Sequence, residues 1–186
     1  LYKRIYAQRL DGVDIAASSV RHCEKNSAGE ITELILMDAS GDCYEYGMTF
    51  GNFGEYVKPN TDTASRFQIN GYNVDISGNV YTAEAISGIS VYSPCKAYLY
   101  NGNLRLKGLI QSYSGTAKNL TQSSIEINGT KYLLSDKVAV YLQEGTTTYS
   151  KMSLNDAIDG NYSYSAYYDK TEAKGGRIRV IIAKAK

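Results

Sequence analysis

The chain has 186 residues, a formal net charge of +1 and 43% hydrophobic residues. This balance favours a packed core over disorder, and it lacks the strongly basic face that nucleic-acid binding requires. No run of about 18 apolar residues is present, so the sequence predicts no membrane-spanning helix in this fragment.

Tyrosine is the unusual residue of this composition, with 18 copies beside 3 Phe and no Trp. Its apolar ring and polar hydroxyl suit half-exposed strands, and only two prolines interrupt the chain. Three cysteines, Cys23, Cys43 and Cys95, show no zinc-binding spacing and allow at most one internal disulfide. The composition is typical of a hairpin-rich β-protein.

In chain order, the first predicted elements are a short helical turn within 12–20 and a β-hairpin whose second strand, GEITELIL, starts at Gly29. The same pattern recurs as GNLRLKGL from Gly102 and as GRIRVIIA from Gly176. Each copy follows a strand-like run and a polar turn, and each has an aliphatic residue two places after the glycine. We therefore predict a hairpin at all three places.

A second pattern occurs twice, as FQINGYNVDIS from Phe67 and as IEINGTKYLLS from Ile125. The dipeptides Asn70-Gly71 and Asn128-Gly129 favour type I′ turns, where both central residues need positive φ. Another helical turn is predicted within 81–89. The turn-rich loop 51–65 separates the first hairpin from this repeat.

The last third of the chain contains the clearest helix signal, SLNDAID over 153–159, with Ser153 as N-cap and Asp156 in the first turn. The closing strand alternates Arg with aliphatic residues. It predicts Ile178, Val180 and Ile182 on the core face, and Arg177, Arg179 and Ile181 on the other face.

Together the repeats predict an all-β fold of tandem small β-barrel or β-roll modules, built from hairpins with one or two short helical turns. Residues 1–43 are expected to form an N-terminal hairpin that is the trailing part of one module. Residues 44–107 and 108–186 are expected to form a module each, and a single merged sandwich is the alternative. The chain begins at Leu1 without Met, and we expect a mature form or an excised fragment.

The segment GEITELILMDASGDCYEYG, the INGxxxxxS strand and the closing AYYDKTEAKGGRIRVIIA resemble the region beside S-layer homology repeats in Firmicutes surface proteins. The resemblance covers nearly the whole chain, although the S-layer homology repeats themselves are not visible. It implies an extracellular, cell-wall-associated and non-enzymatic protein made of tandem small β-modules. The partners it implies are cell-wall polysaccharide or other surface proteins.

Few residues support an enzymatic interpretation. His22, Cys95 and Arg105 occur in the order used by sortases, and a thiolate, an imidazole and a guanidinium would suit a cysteine transpeptidase. VYSPC and VRHCEKN lack the local context of those enzymes, so we expect three unrelated residues. No nucleotide-binding glycine motif and no calcium-loop motif is present, and we expect no cofactor and no metal.

The tyrosines are the remaining candidates for binding. Tyr98 and Tyr100 share one strand face, and Tyr162 and Tyr164 share another. Such faces either stack on sugar rings or form cross-strand pairs that stabilise a small sheet, and we favour the second interpretation. The predicted function is therefore structural or adhesive, with carbohydrate binding through these four tyrosines as the alternative.

Overall fold

A computed structural model of the chain describes residues 4–53, 71–76, 79–87, 89–100, 103–111 and 117–186. This part is mostly strand, which confirms the predicted all-β class. In chain order the strands are β1 (Val20–Lys25), β2 (Ile31–Leu36), β3 (Glu45–Phe53), β4 (Gly71–Ile76), β5 (Asn79–Ser87), β6 (Pro94–Tyr100), β7 (Asn103–Gly108), β8 (Ile110–Gln111), β9 (Ala117–Lys118), β10 (Ser124–Ile127), β11 (Thr130–Gln143), β12 (Tyr149–Met152), β13 (Tyr162–Tyr168) and β14 (Ile178–Ala185).

Helix is confined to short pieces in the described residues. The α-helix α1 (Leu154–Asp159) lies where the sequence predicts it, and the Ser153 hydroxyl oxygen accepts a hydrogen bond from the Asp156 N–H at 3.1 Å. Three 3₁₀ turns occur at Ala7–Leu10, Ala17–Ser19 and Glu172–Lys174. The helical turn expected within 81–89 is wrong, because residues 81–87 lie in β5, which pairs with β4 and β7.

All three predicted hairpins are present as antiparallel pairs: β1 with β2, β6 with β7, and β13 with β14. The predicted I′ turn at Asn128-Gly129 is confirmed by φ values of 51° and 80°, and it joins β10 to β11. Asn70 lies outside the described residues, and Gly71 starts β4. Local turn chemistry therefore places the Asn128-Gly129 hairpin correctly, whereas the β4 strand that begins at Gly71 pairs with β3 and β5.

The strands of residues 45–108 pair in a circuit that returns to its starting strand, in the order β3-β4-β5-β7-β6. The strands of residues 110–185 form an open sheet in the order β8-β13-β14-β11-β10-β9, and β12 also pairs with β11. The β1–β2 hairpin forms a two-stranded sheet of its own. A tandem of like barrels is therefore not confirmed, and the division into modules stays a prediction.

The core lies on both sides of β14. On one side Ile178 and Ile181 pack with Ile125, Leu134 and Ala157 of α1. On the other side Val180 and Ile182 join a cluster that also contains Tyr141 and, from β3, Tyr46 and Met48. Burying each large aliphatic side chain stabilises the fold by roughly 1.5–3 kcal/mol.

The two-sided burial of β14 corrects the predicted outer face of this strand. Residues 178–183 are all buried, so Ile181 faces the core beneath α1, and Arg179 has only 1% of its surface exposed. Arg177 alone is partly exposed, and it donates to the Leu134 carbonyl oxygen at 3.2 Å. An alternating pattern predicts a solvated face only when nothing covers it. Here residues 38–46 cover Arg179, and the cluster that includes Ala157 of α1 covers Ile181.

Candidate functional site

The most extensive polar site in the described residues surrounds the buried Arg179 guanidinium. Nη1 donates to Asp42 Oδ1 at 2.7 Å and to Ser135 Oγ at 3.0 Å. Nε donates to Asp169 Oδ1 at 3.2 Å, and Nη2 donates to the Ser40 carbonyl oxygen. A buried charge is tolerated only when it is paired and hydrogen-bonded, and this arrangement meets both conditions.

Tyr46 completes this group, which we call the Arg179 network: Arg179, Asp42, Asp169, Ser40 and Tyr46. Its hydroxyl lies 2.7 Å from both the Gly41 carbonyl oxygen and Asp169 Oδ2, and its ring lies 4.8 Å from the guanidinium carbon. Burial raises the pKa of Tyr46, so the hydroxyl stays neutral at physiological pH. The network thus joins β3, β14 and the segment that follows β2.

The segment that precedes the β1–β2 hairpin is held at the same place. Arg9 Nε lies 2.9 Å from Asp42 Oδ2, and Arg9 Nη2 donates to the Gly175 carbonyl oxygen at 2.6 Å. The Asp14 N–H donates to the Ala173 carbonyl oxygen at 2.9 Å. The segment before the hairpin therefore docks on residues 169–179, as does the segment that follows the hairpin.

On the far side of the hairpin, Lys170 Nζ lies 3.1 Å from Asp38 Oδ1 and also donates to the Asp38 carbonyl oxygen. The glycine at 41 has a positive φ of 71°, and a Cβ there would lie 2.0 Å from Asp169 Oδ2. Only glycine allows the chain to pass so close to the network. We call this whole arrangement the hairpin clamp: it consists of the Arg179 network together with Arg9, Asp38 and Lys170.

The electrostatics of the clamp centre on Asp42. Burial disfavours its charged form, but Arg179 and Arg9 outweigh burial and hold the pKa of Asp42 below its ordinary value of 3.8. A carboxyl group whose pKa is lower in the folded than in the unfolded protein stabilises the fold above its unfolded pKa. That stabilisation is lost as pH falls through the folded pKa.

We therefore expect the free energy of unfolding to fall as pH is lowered below about 4, the ordinary range of a carboxyl pKa. The Asp42→Asn variant should be less stable at neutral pH. Its free energy of unfolding should fall less steeply as pH is lowered, because residue 42 no longer titrates. Urea unfolding of both proteins between pH 7 and pH 2.5 measures the two slopes. Equal slopes would show that Asp42 does not contribute to the pH dependence.

The three residues in sortase order lie in different surroundings. Cys95 is fully buried with Ala97 and Leu106 in the circuit of residues 45–108, and burial raises the pKa of its thiol to about 12. His22 lies on the separate β1–β2 sheet, where its Nε2 is 3.3 Å from Glu24 and 3.9 Å from Glu33. Arg105 lies on β7 opposite Tyr98.

His22, Glu24 and Glu33 are the one group of potential metal ligands found within the described residues. Their nearest ligand atoms all lie within 4.8 Å of one another, and all three side chains are exposed. Exposed groups of this kind are common on protein surfaces without a bound ion. The group is adequately explained as a cluster of neighbouring polar side chains on the surface.

The predicted binding tyrosines fall into two places. Tyr98 packs edge-on against Tyr44, with ring centroids 6.1 Å apart, and Lys96 Nζ lies 4.0 Å from the Tyr44 centroid. Burial is the main cause that raises the pKa of Tyr44 to about 12. Tyr100 ends β6, and its side chain lies outside the described residues. Tyr98 therefore belongs to an aromatic–cation cluster.

Tyr162 and Tyr164 both line a cleft of about 430 Å³ at the end of α1. The Tyr162 ring packs against Gly160, where an added Cβ would lie 2.0 Å from Cε2. The Tyr164 hydroxyl donates to the Ala157 carbonyl oxygen at 2.5 Å. The other lining residues are mostly polar: Ala117, Lys118, Asn119, Leu120, Ile158, Asn161 and Lys186.

Comparison of the chain with protein-family models, with curated proteins and with solved structures finds no match. Among the residues that the structure describes, no helix has the length and apolar character needed to cross a membrane. The interpretation of function therefore depends on the clamp, the cleft and the repeated hairpins.

Sequence reasoning missed the clamp. Asp42 and Arg179 are 137 residues apart, and Arg179 has the periodicity of an exposed residue. One signal was present in the sequence: Asp38, Gly41 and Asp42 form a compact turn directly after the first hairpin. Acidic residues in such a turn are common without a buried partner, so the signal could not identify Arg179.

Proposed function

We propose that this chain is a non-enzymatic structural module of an exported bacterial cell-surface protein, extracellular and associated with the cell wall. Its role is to space or present other domains. The observation that supports this most directly is the hairpin clamp, which holds both ends of the β1–β2 hairpin through hydrogen bonds and ion pairs centred on the buried Arg179. The repeated hairpins and the resemblance to regions beside S-layer homology repeats support the tandem-module interpretation.

A spacer must hold its parts at a constant distance, and the clamp supplies a physical basis for that. Buried ion pairs contribute little net stability, but they disfavour every arrangement in which a charge loses its partner. Any movement of the hairpin base would separate Arg9 and Arg179 from Asp42. The network thus penalises bending at the junction between residues 38–46 and the sheet of residues 110–185.

This proposal is tested by measuring the distance between spin labels on the native Cys23 and on a Lys184→Cys variant, in a Cys43→Ser background. Cys95 is fully buried, so we expect it to stay unlabelled. The expected result is one narrow distance distribution, broadened by Arg9→Ala and unchanged by Arg4→Ala, since Arg4 is exposed. A broad distribution in the chain with an intact clamp would contradict the spacer function.

A second candidate function, carbohydrate binding, is favoured by the cleft that Tyr162 and Tyr164 line. An aromatic ring beside amide and ammonium groups suits a sugar, because the ring stacks on the C–H face and the polar groups bind hydroxyls. The hydroxyl of Tyr164 is occupied by the Ala157 carbonyl oxygen, so Tyr162 is the better probe.

The test is retention of the purified chain on cell-wall polysaccharides and peptidoglycan fragments. Carbohydrate binding predicts retention that Tyr162→Ala reduces by about tenfold, a loss of about 1.4 kcal/mol. The matched control is Tyr6→Ala, which removes a tyrosine that is 87% exposed elsewhere. Retention that the two variants lose equally, or no retention at all, would remove this candidate.

A further inference from the structure

The β1–β2 hairpin differs from the two other hairpins of its kind in having both outer edges unpaired within the described residues. All six residues of β1 are exposed, and so are the first four of β2. An isolated two-stranded hairpin is marginally stable in water, and an open edge exposes backbone groups that can accept another strand. The clamp holds the base of this hairpin and leaves its strands uncovered.

The other two hairpins show how such edges are used in this fold. The second strand of each pairs in parallel with an earlier strand: β7 with β5, and β14 with β11. The first strand of each pairs antiparallel on its own outer edge: β6 with β3, and β13 with β8. By the glycine alignment of the three hairpins, β2 corresponds to β7 and β14.

Exposed apolar side chains are concentrated at the same place. The described residues contain six exposed large hydrophobic side chains, and four of them lie on this hairpin or directly after it. Their exposed fractions are 36% for Val20, 56% for Ile31, 36% for Leu34 and 51% for Met37. By contrast Ile178, which corresponds to Ile31, is 2% exposed. Such a concentration marks an interaction surface.

The two faces of the hairpin define the chemistry of a partner. Glu24 lies directly opposite Glu33, and both contact His22, so this face is charged. Leu34 lies on the other face, opposite Cys23. A strand that adds to the hairpin would therefore place its apolar side chains beside Leu34 and its polar side chains beside the charged face.

We propose that the outer edge of β2 accepts an extended β-strand of a neighbouring β-module, running parallel to β2 with aliphatic side chains on the face that meets Leu34. The chemical type is that of β11, the strand that β14 accepts within this chain. Main-chain hydrogen bonds would supply the affinity, and the Leu34 face would set the register. The inference depends on the repeated hairpins and holds whether or not the chain is a spacer.

The test uses the full chain and a synthetic peptide with the sequence of residues 130–143, followed by hydrogen–deuterium exchange of the backbone amides. With excess peptide we expect exchange within residues 31–36 to slow by about tenfold, because outward N–H groups of β2 become paired. A scrambled peptide of the same composition should produce no slowing.

The specific variant is Leu34→Lys, which places a charge on the accepting face, and the matched control is Leu133→Lys. Leu133 is 40% exposed and lies outside this surface. Thermal unfolding of both variants identifies any loss of fold. We expect the peptide to slow exchange in Leu133→Lys and not in Leu34→Lys.

Three results would overturn the proposal. The first is unchanged exchange of β2 at the highest peptide concentration. The second is equal slowing in Leu34→Lys and Leu133→Lys. The third is exchange of β2 that slows as the protein concentration rises without peptide, together with a dimer in sedimentation. This result would assign the edge to a second copy of the chain.

Discussion

The Arg179→Met variant is expected to lose about 3–5 kcal/mol of unfolding free energy, the usual result of breaking a buried ion pair from one side. Methionine retains most of the side-chain volume, so the loss reflects Asp169 being left without its cation and Asp42 keeping Arg9 alone. Both carboxylates are buried, with 10% and 2% of their side-chain surface exposed. Guanidinium unfolding followed by circular dichroism measures the difference.

The matched control is Arg177→Met, two residues away on the same segment. Arg177 is partly exposed, and the one hydrogen bond described for it is to a carbonyl oxygen. We expect this variant to lose about 0.5–1.5 kcal/mol, the ordinary contribution of one hydrogen bond. Losses of equal size in the two variants would show that the Arg179 network does not act as a buried charge centre.

A combined variant separates charge from packing. Arg179→Met with Asp42→Asn and Asp169→Asn removes the Arg179 cation and both carboxylates, so the charge left without its partner is that of Arg9, which is 15% exposed. We expect it to recover part of the stability that Arg179→Met loses, because the penalty comes mainly from unpaired ions. Recovery would show that the network contributes more to specifying how these chain segments are arranged than to the stability of the fold.

The Gly176→Ala variant is expected to be destabilised by about 3 kcal/mol, at the upper end of the usual cost of overpacking. A Cβ at residue 176 would lie 1.7 Å from the carbonyl oxygen of Lys170 and 2.4 Å from its carbonyl carbon. These are backbone atoms of the turn that carries Lys170 and Asp169, so they cannot move without disturbing the clamp. Thermal unfolding and the exchange of amides 169–176 report the change.

Gly145→Ala is the control for this prediction. The nearest atom to its added Cβ is Thr148 Oγ1 at 3.8 Å, which is an ordinary contact, and its φ lies outside the left-handed region. We expect a change within about 0.5 kcal/mol, as for most surface substitutions. A Gly176→Ala protein as stable as Gly145→Ala would show that the close approach to Lys170 is not maintained in solution.

The junction between the two larger sheets also explains how a chain of short strands reaches a substantial core. Tyr46 and Met48 of β3 pack with Tyr141, Val180 and Ile182, so one cluster contains residues of both sheets. Tyr92 and Tyr149 stack at the same junction, with centroids 5.1 Å apart. At this junction, therefore, the tyrosine rings contribute to packing between the two sheets.

The sequence by itself determined the local features of this protein. The three hairpins, the I′ turn at Asn128-Gly129 and the Ser153 cap of α1 depend on contacts between residues close together in the chain. Turn and cap preferences act at that range, so composition and spacing are sufficient to predict them. The all-β class follows from the same signals.

The tertiary structure alone decided where those elements go. Residues 81–87 have a helical composition but lie in β5, because pairing with β4 and β7 outweighs a propensity of a few tenths of a kcal/mol per residue. Arg179 has the alternation of a solvated strand face, yet residues 38–46 cover it and supply the Asp42 carboxylate and the Ser40 carbonyl oxygen as partners. That contact joins residues 137 positions apart, and no local pattern encodes a partner at such a distance.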